Sequence, residues 1–204
     1  MQKLAEVDYG IDHLLRSRWS PRAFASKPVE AEKLRSLFEA ARWSPSSANE
    51  QPWAFIVGTR DEQSTHDTLV ATLTGRNPVW ARNAPVLVLS VARLIFESPM
   101  AKGRPNRHAY YDVGQAVAHL TVEATALGLV VHQMAGFDVK KARELLRLPE
   151  GHDPVTMIAI GYSGDPADLP VELREPELAG RSRKPQSQFV FGGQWGHPLE
   201  LPAD

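Results

Sequence analysis

Arginine and hydroxyl side chains near the start of the chain have a spacing that suits phosphate binding. Arg18, Ser20 and Arg22 alternate with other residues, and Pro21 pushes Ser20 toward an extended backbone. Alternate side chains of an extended chain share a face, so two guanidinium groups would flank one hydroxyl. Guanidinium groups bind phosphate oxygens through paired hydrogen bonds. This segment therefore predicts an anion site, although three solvated side chains after a helix would have the same pattern.

Two more segments carry polar side chains on backbone that proline holds out of a helix. Arg181 and Arg183 lie two apart just before Pro185. They are either a second guanidinium pair for the same anion or a basic patch on a flexible tail. The segment Trp43–Trp53 is rich in hydroxyl and amide groups and contains two prolines. It is either a long turn or one wall of a site for a flat, partly apolar ligand.

The sequence contains partial matches to known catalytic and metal-binding motifs, but their residues do not have the required spacing. The second glycine of Gly161-Tyr-Ser-Gly-Asp comes one place too early for a nucleophile elbow. His119 and Glu123 lie four residues apart on one predicted helix, but no third ligand follows at a suitable spacing. The chain also lacks a glycine-rich dinucleotide fingerprint and a P-loop. We therefore predict no catalytic side chain and no metal site.

Composition narrows the class of protein further. The 204 residues contain no cysteine, which excludes disulfides, thiolate metal sites and a cysteine nucleophile. A net charge of −1 argues against nucleic acid as a partner. The chain has neither the apolar run of a signal peptide nor that of a membrane span. We expect one cytoplasmic domain over residues 1–204, with no membrane association.

Hydrophobic periodicity predicts the elements that must position these segments. The predicted helices are 8–17, capped by Asp8, and 30–43, 61–74, 108–127 and 138–148, the last capped by Asp138; the predicted strands are 54–57, 85–92, 129–134 and 155–162. Alternation of helices and strands by itself favours a parallel sheet. Helix 108–127 is apolar on several sides, which predicts burial on several sides. Half of the 16 prolines fall in residues 149–204, so we expect 163–204 to be an irregular arm.

The order of these motifs resembles that of the FMN-dependent nitroreductase family over about residues 10–198. The motifs are R-x-S-x-R-x-F from Arg18, S-P-S-S-x-N-x-Q-P-W from Ser44, A-P at Ala84, A-L-G-L from Ala126, G-F-D from Gly136, I-G-Y from Ile160 and R-S-R-x-P from Arg181. The resemblance implies an α+β sandwich, with a mostly antiparallel sheet flanked by helices. It also implies an intertwined homodimer with FMN sites at the interface, which the long helix and the arm would help to form.

The resemblance also implies roles for individual residues. Arg18, Arg181 and Arg183 would hold the FMN phosphate, with Ser20 on the phosphate or ribityl chain and the Trp19 backbone lining the cofactor. Arg22 would approach the N1/C2 side of the flavin, where negative charge develops on reduction. Met134, Ala135 and Gly136 would follow the flavin edge, and the other subunit would supply Pro45, Ser46, Ser47 and Asn49. The family's ring-contacting asparagine corresponds here to Asn77 or Arg76, and its following lysine has no counterpart.

The implied activity is hydride transfer from NADH or NADPH through flavin N5 to a small electron-poor acceptor, in a ping-pong sequence. Nitroaromatics, quinones and activated alkenes are the implied acceptors. Residues 94–110 would border the acceptor, with Phe96 and Met100 stacking on it and Arg107 contacting the nicotinamide cofactor, unless this segment is an ordinary surface loop. The alternatives are reductive dehalogenation or dehydrogenation on the same flavin, an FMN-binding protein without turnover, and an interaction module with a basic patch.

Overall fold

The computed structural model describes residues 3–99 and 101–201. Its helices are α1 His13–Ser17, α2 Ala31–Arg42, α3 Gln63–Thr72, α4 Asn77–Ala81, α5 Ala109–Ala126, α6 Val139–Leu145 and α7 Val171–Leu178. Its strands are β1 Trp53–Thr59, β2 Val86–Arg93, β3 Val130–Met134 and β4 His152–Gly161. Met100, proposed above as an acceptor contact, lies outside the described residues.

The four strands form one sheet in the order β1-β2-β4-β3, and every neighbouring pair is antiparallel. The antiparallel α+β expectation is confirmed, and the parallel sheet favoured by alternation is wrong. The reason lies in the connections. The connections from β1 to β2 and from β3 to β4 each begin and end at the same end of the sheet, so the two strands that they join run in opposite directions. The hydrophobic periodicity of a single helix or strand does not show in which direction the next strand runs.

Helices cover both faces of the sheet, because neighbouring residues of each strand point to opposite sides. Val88 packs in a core with α2 and α5, whereas Leu89 packs in a second core with α3, α4, α6 and α7. The pairing of β2 with β4 contains a bulge between Ser90 and Val91. Val91 there lies opposite Pro154, which has no backbone N–H to donate to the sheet. The result is a three-layer sandwich whose edges and loops carry the candidate site.

Two predictions about helix positions need correction. The first helix begins at His13 rather than at residue 8, and Asp12 rather than Asp8 caps it by accepting the Leu14 N–H at 2.8 Å. Gly10 explains the difference, since glycine disfavours a helix interior. Helix α7 was not predicted, because the proline-rich composition around it, including Pro176 inside it, indicates irregular chain.

Helix α5 has the predicted length, and Gly128 after it has the positive φ of +73° expected of a helix-terminating glycine. Its burial differs from the prediction. Within this chain only one side is covered: Ala118 and Ala126 are exposed, and Tyr111 is 68% exposed. The chain thus leaves one small-residue face of α5 without a covering element.

Residues 180–201 run along the surface as an arm with a few short turns. Phe191 and Pro198 pair across a small antiparallel bridge, and the Phe191 and Trp195 rings lie 5.0 Å apart. Trp195 is 90% exposed and Phe189 60%. No helix within the described ranges is long and apolar enough to cross a membrane.

Candidate functional site

Three arginines from distant parts of the chain converge at one place. Arg18 follows α1, whereas Arg181 and Arg183 belong to the arm after α7. Burial, and then the nearby charges of Arg181 and Arg183, lower the pKa of the Arg18 guanidinium. Burial and Arg183 lower the pKa of Arg181 in the same way. The structure therefore groups Arg18 with Arg181 and Arg183, whereas Arg22, predicted on the same face as Arg18, lies against Glu177 instead.

Local hydrogen bonds orient this arginine cluster. Arg18 Nη1 donates to Ser20 Oγ at 3.2 Å. Arg181 Nη1 donates to the carbonyls of Lys3 at 2.7 Å and Arg16 at 3.0 Å. Among the described residues, no carboxylate forms a salt bridge with any of the three arginines. Such a cluster, in which Arg18 and Arg181 are partly desolvated and Arg183 is exposed, fits a dianionic phosphate.

Arg22 points to a buried carboxylate that sequence reasoning missed. Its Nη1 lies 3.6 Å from Glu177 Oε2, and Glu177 is only 1% exposed. Glu177 also accepts the backbone N–H groups of Arg22, at 2.9 Å, and Ala23, at 3.1 Å. The pairing of α7 with this segment depends on tertiary packing, and an acidic residue in a charged helix gives no sequence signal for it.

His132 of β3 is a second group that the sequence did not indicate. Its Nδ1 lies 2.9 Å from the carbonyl oxygen of Pro21, which can only accept, so Nδ1 carries the proton. Its ring packs 4.5 Å from that of Trp80. Burial lowers the pKa of His132, partly offset by that hydrogen bond. His132 thereby joins the Arg22 segment to the strand that leads to Met134.

Asn77 and the residues after β3 form a third group. Met134 is buried at the end of β3, whereas Ala135 is exposed. Asn77 Nδ2 donates to the Gly136 carbonyl at 2.9 Å. A Cβ added at Gly136 would lie only 2.6 Å from that nitrogen, so a side chain at this position would displace the Asn77 amide. The structure thus joins two of the predicted ring contacts, and Arg76 lies exposed beside them.

The loop with the hydroxyl and amide side chains lies at a different end of the molecule. Ser47 donates its backbone N–H to Asp112, near the start of α5. Arg18 and Trp19 line a pocket of about 420 Å³ with Thr125, near the end of α5. These ends are about 20 Å apart along the helix axis at ~1.5 Å per residue. Pro45, Ser46, Ser47 and Asn49 therefore do not join the arginine cluster of their own chain in one compact site.

Trp19 and Phe96 have the following surroundings. Lys3 Nζ lies 4.7 Å from the Trp19 ring, so that side chain has a cation partner and leaves the backbone for other contacts. Phe96 is partly buried in the 94–110 segment, and Arg107 is exposed. The arrangement as a whole offers a cluster of guanidinium cations at one end and backbone amides with an amide side chain at the other. That arrangement fits a ligand with a phosphate and a polar ring.

Comparison with known proteins gives a family match over most of the chain. Residues 15–162 match the model of the Nitroreductase family. A Mycolicibacterium smegmatis protein, named "Uncharacterized 15.4 kDa protein in ask 5'region", is 36% identical over 71% of this chain and 99% of its own length.

Two other similar proteins have names that describe a chemistry. A Stenotrophomonas maltophilia K279a protein is named "Putative NADH dehydrogenase/NAD(P)H nitroreductase" and is 29% identical over 78% of this chain and 87% of its own length. A crystal structure described as "the oxidoreductase containing FMN" is 33% identical, with a TM-score of 0.88, over 94% of this chain and 96% of that chain. These matches confirm the resemblance stated from the motifs.

Proposed function

The chain belongs to the nitroreductase family, and from that premise we propose that it is a flavin oxidoreductase that binds FMN and uses NADH or NADPH. Its acceptors would be small electron-poor molecules such as nitroaromatics, quinones and activated alkenes. The observation that carries the proposal is the grouping of Arg18, Arg181 and Arg183, held by the hydrogen bonds of Arg18 to Ser20 and of Arg181 to the Arg16 carbonyl. Among the described residues, no carboxylate forms a salt bridge with them. The names of the two similar proteins support the cofactor and the nicotinamide donor.

The arginine cluster would hold the phosphate end of FMN. Each guanidinium presents a fork of N–H donors, and three forks satisfy more phosphate oxygens than one. Arg18 and Ser20 are already joined by a hydrogen bond, which orients both toward the same ligand group. A bound dianion would also offset the mutual repulsion of the three charges, which contributes, after burial, to the lowered pKa of Arg18.

The ring end would be held by Arg22, Asn77 and the backbone of Met134, Ala135 and Gly136. Bound FMN would supply hydride transfer at N5, from nicotinamide to acceptor, in two successive half-reactions. Arg22 would present its guanidinium to the N1/C2 side, and Glu177 would orient it, because Glu177 lies 3.6 Å from Arg22 Nη1 and accepts the Arg22 backbone N–H. No side chain of the protein has to act as a nucleophile or proton donor in this scheme.

We also propose that the working unit is a homodimer. Pro45, Ser46, Ser47 and Asn49 lie far from the arginine cluster of their own chain, and the uncovered face of α5 offers a surface for a second copy. In a dimer, the 45–49 loop of one protomer would complete the FMN site of the other. The exposed aromatic groups of the arm would gain a surface to pack on.

An anaerobic reductive titration tests the proposal directly. Purified protein is loaded with FMN and titrated with NADH and, separately, with NADPH, while the flavin absorbance is followed. We expect stoichiometric reduction by at least one nicotinamide, followed by reoxidation on addition of a nitroaromatic or a quinone. Protein that takes up no FMN would contradict the proposal. Bound FMN that neither nicotinamide reduces would favour a binding protein without turnover, and reoxidation by halogenated acceptors alone would favour dehalogenation.

A further inference from the structure

A buried carboxylate links the 45–49 loop to the segment that follows β2. Glu50 is only 6% exposed. It accepts Arg93 Nη2 at 2.9 Å, the Glu97 backbone N–H at 2.6 Å and the Ser98 backbone N–H at 3.2 Å. Arg93 Nη2 also donates to the Glu50 carbonyl at 2.9 Å. One side chain therefore connects two loops that are far apart in sequence.

The segment held by Glu50 is a short hairpin whose described residues are 94–99 and 101–106, called the 94–106 hairpin below. The Phe96 N–H donates to the Arg104 carbonyl at 2.9 Å, and the Gly103 N–H returns a bond to Phe96 at 3.0 Å. At its base, the Asn106 N–H donates to Leu94 at 2.6 Å. These bonds define the 94–106 hairpin by itself, but they do not tie it to the rest of the molecule. The Leu94 N–H ties the hairpin base to the Gly151 carbonyl at 2.7 Å, and Arg93 Nη1 pairs with Glu97 Oε2 at 2.6 Å. The Glu50 contacts to Glu97 and Ser98 supply the attachment to the 45–49 loop.

The backbone around Glu50 has a conformation that costs free energy. Ala48, Asn49 and Gln51 have φ values of +53°, +54° and +49°, in the left-handed region that residues with a Cβ rarely adopt. Such a conformation persists only where the surroundings impose it. The Ser46 hydroxyl accepts the Gln51 N–H at 2.9 Å on one side, and the Glu50 carboxylate is anchored on the other.

Hydrogen bonding keeps Glu50 charged despite its burial. Burial acts to raise the pKa of this carboxyl, but hydrogen bonds, notably from the Glu97 and Ser98 backbone and from Arg93, outweigh it and lower the pKa. Hydrogen bonds to a charged carboxylate are short and strong, so they fix the positions of the groups that donate them. The Glu50 carboxylate therefore determines where the hairpin stands relative to the 45–49 loop.

We propose that Glu50 and Arg93 are positioning residues that hold the 94–106 hairpin as one wall of the electron-acceptor site. The inference rests on the proposed function, in which the 45–49 loop contacts the flavin of the other protomer. Since Glu50 joins the hairpin to that loop, the hairpin borders the same flavin, with the partly buried Phe96 available to a flat acceptor. The pair thus selects acceptors by fixing the width of the site.

Replacing Glu50 tests the proposal with two readouts. In Glu50→Ala we expect backbone hydrogen exchange within 94–106 to accelerate by about tenfold or more, while exchange in α5 stays unchanged. We expect the KM for a quinone and for a nitroaromatic to rise by about tenfold, with the rate of flavin reduction at saturating nicotinamide changed less than about threefold. Glu50→Gln, which keeps the size and one acceptor oxygen, gives smaller changes in the same direction and remains informative if Glu50→Ala does not fold.

Glu39→Gln is the matched control, because it removes a carboxylate from an arginine pair, Glu39 with Arg42, on the exposed side of α2. It is expected to change neither readout. Hydrogen exchange in 94–106 that stays slow in both Glu50 variants would overturn the role of Glu50. A loosened hairpin with unchanged acceptor KM would overturn the role of the hairpin. Wild-type protein that binds no FMN would instead contradict the proposed function.

Discussion

Three guanidinium groups in one place destabilise one another until an anion joins them. Burial, and then the neighbouring charges of Arg181 and Arg183, lower the pKa of Arg18. The arrangement persists because carbonyl oxygens of Lys3 and Arg16 anchor Arg181. At the scale of residues, the proposed phosphate site is therefore held in place by hydrogen bonds within the protein.

Removing one of these arginines should weaken FMN binding more than removing an exposed arginine elsewhere on the protein. We expect Arg18→Ala and Arg183→Ala each to cost about 2–4 kcal/mol, since each removes a charged hydrogen-bond partner from the phosphate. Equilibrium titration of the apo-protein with FMN, followed by flavin fluorescence, measures the change. Arg35→Ala, on the exposed side of α2, is the control. Wild-type affinity in both cluster variants would refute the phosphate assignment.

Helix α7 is the element that connects the start of the chain to its end. The buried carboxylate of Glu177 accepts backbone N–H groups from Arg22 and Ala23, and Lys3 Nζ donates to the Glu177 carbonyl. Leu173, one turn earlier, packs in the core on the same side. The helix thereby holds the segment between Arg18 and Arg22 at the sheet, and the arm leaves from its far end.

The Glu177 side chain should accordingly contribute far more to the free energy of unfolding than the exposed Glu175 side chain on the same helix. We expect Glu177→Ala to lower the free energy of unfolding by about 2–4 kcal/mol, because two buried N–H groups lose their acceptor and Arg22 loses its partner. Urea denaturation of the apo-protein measures this. Glu175→Ala, exposed on the same helix, should change the value by less than about 0.5 kcal/mol. Equal effects of the two substitutions would show that Glu177 does not hold the segment.

At the scale of the whole molecule, one chain leaves surfaces that it does not cover itself. The face of α5 that includes Tyr111 and Ala118 is exposed, and so are Phe189 and Trp195 of the arm. A second copy would bury both and would bring a 45–49 loop to each arginine cluster. Assembly and cofactor binding should therefore be linked.

A charge on the uncovered face of α5 tests that link. We expect Ala118→Arg to sediment as a monomer and to lose most of its FMN affinity, because an unpaired charge would be buried at the interface. Sedimentation velocity with flavin detection measures both properties together. Ala71→Arg, the same change on the exposed side of α3, should remain a flavin-loaded dimer. A stable monomer of Ala118→Arg that still holds FMN would contradict the shared site.

Much of the fold and part of the site could be read from the sequence. Helix α5 and strand β2 were predicted nearly to their ends, since burial imposes a periodic pattern on a long element. Proline and arginine spacing marked both halves of the arginine cluster, because proline restricts the backbone locally. The order of the motifs was sufficient to indicate the family. These features depend on neighbouring residues, which a sequence shows directly.

Tertiary structure alone decided the features that depend on residues far apart. It set the strand order β1-β2-β4-β3, and it buried Glu50 and Glu177 as acceptors for distant backbone N–H groups. Neither glutamate differs in sequence context from a solvated one. A buried charge is favourable only when specific partners surround it, and those partners are assembled only by the folded chain.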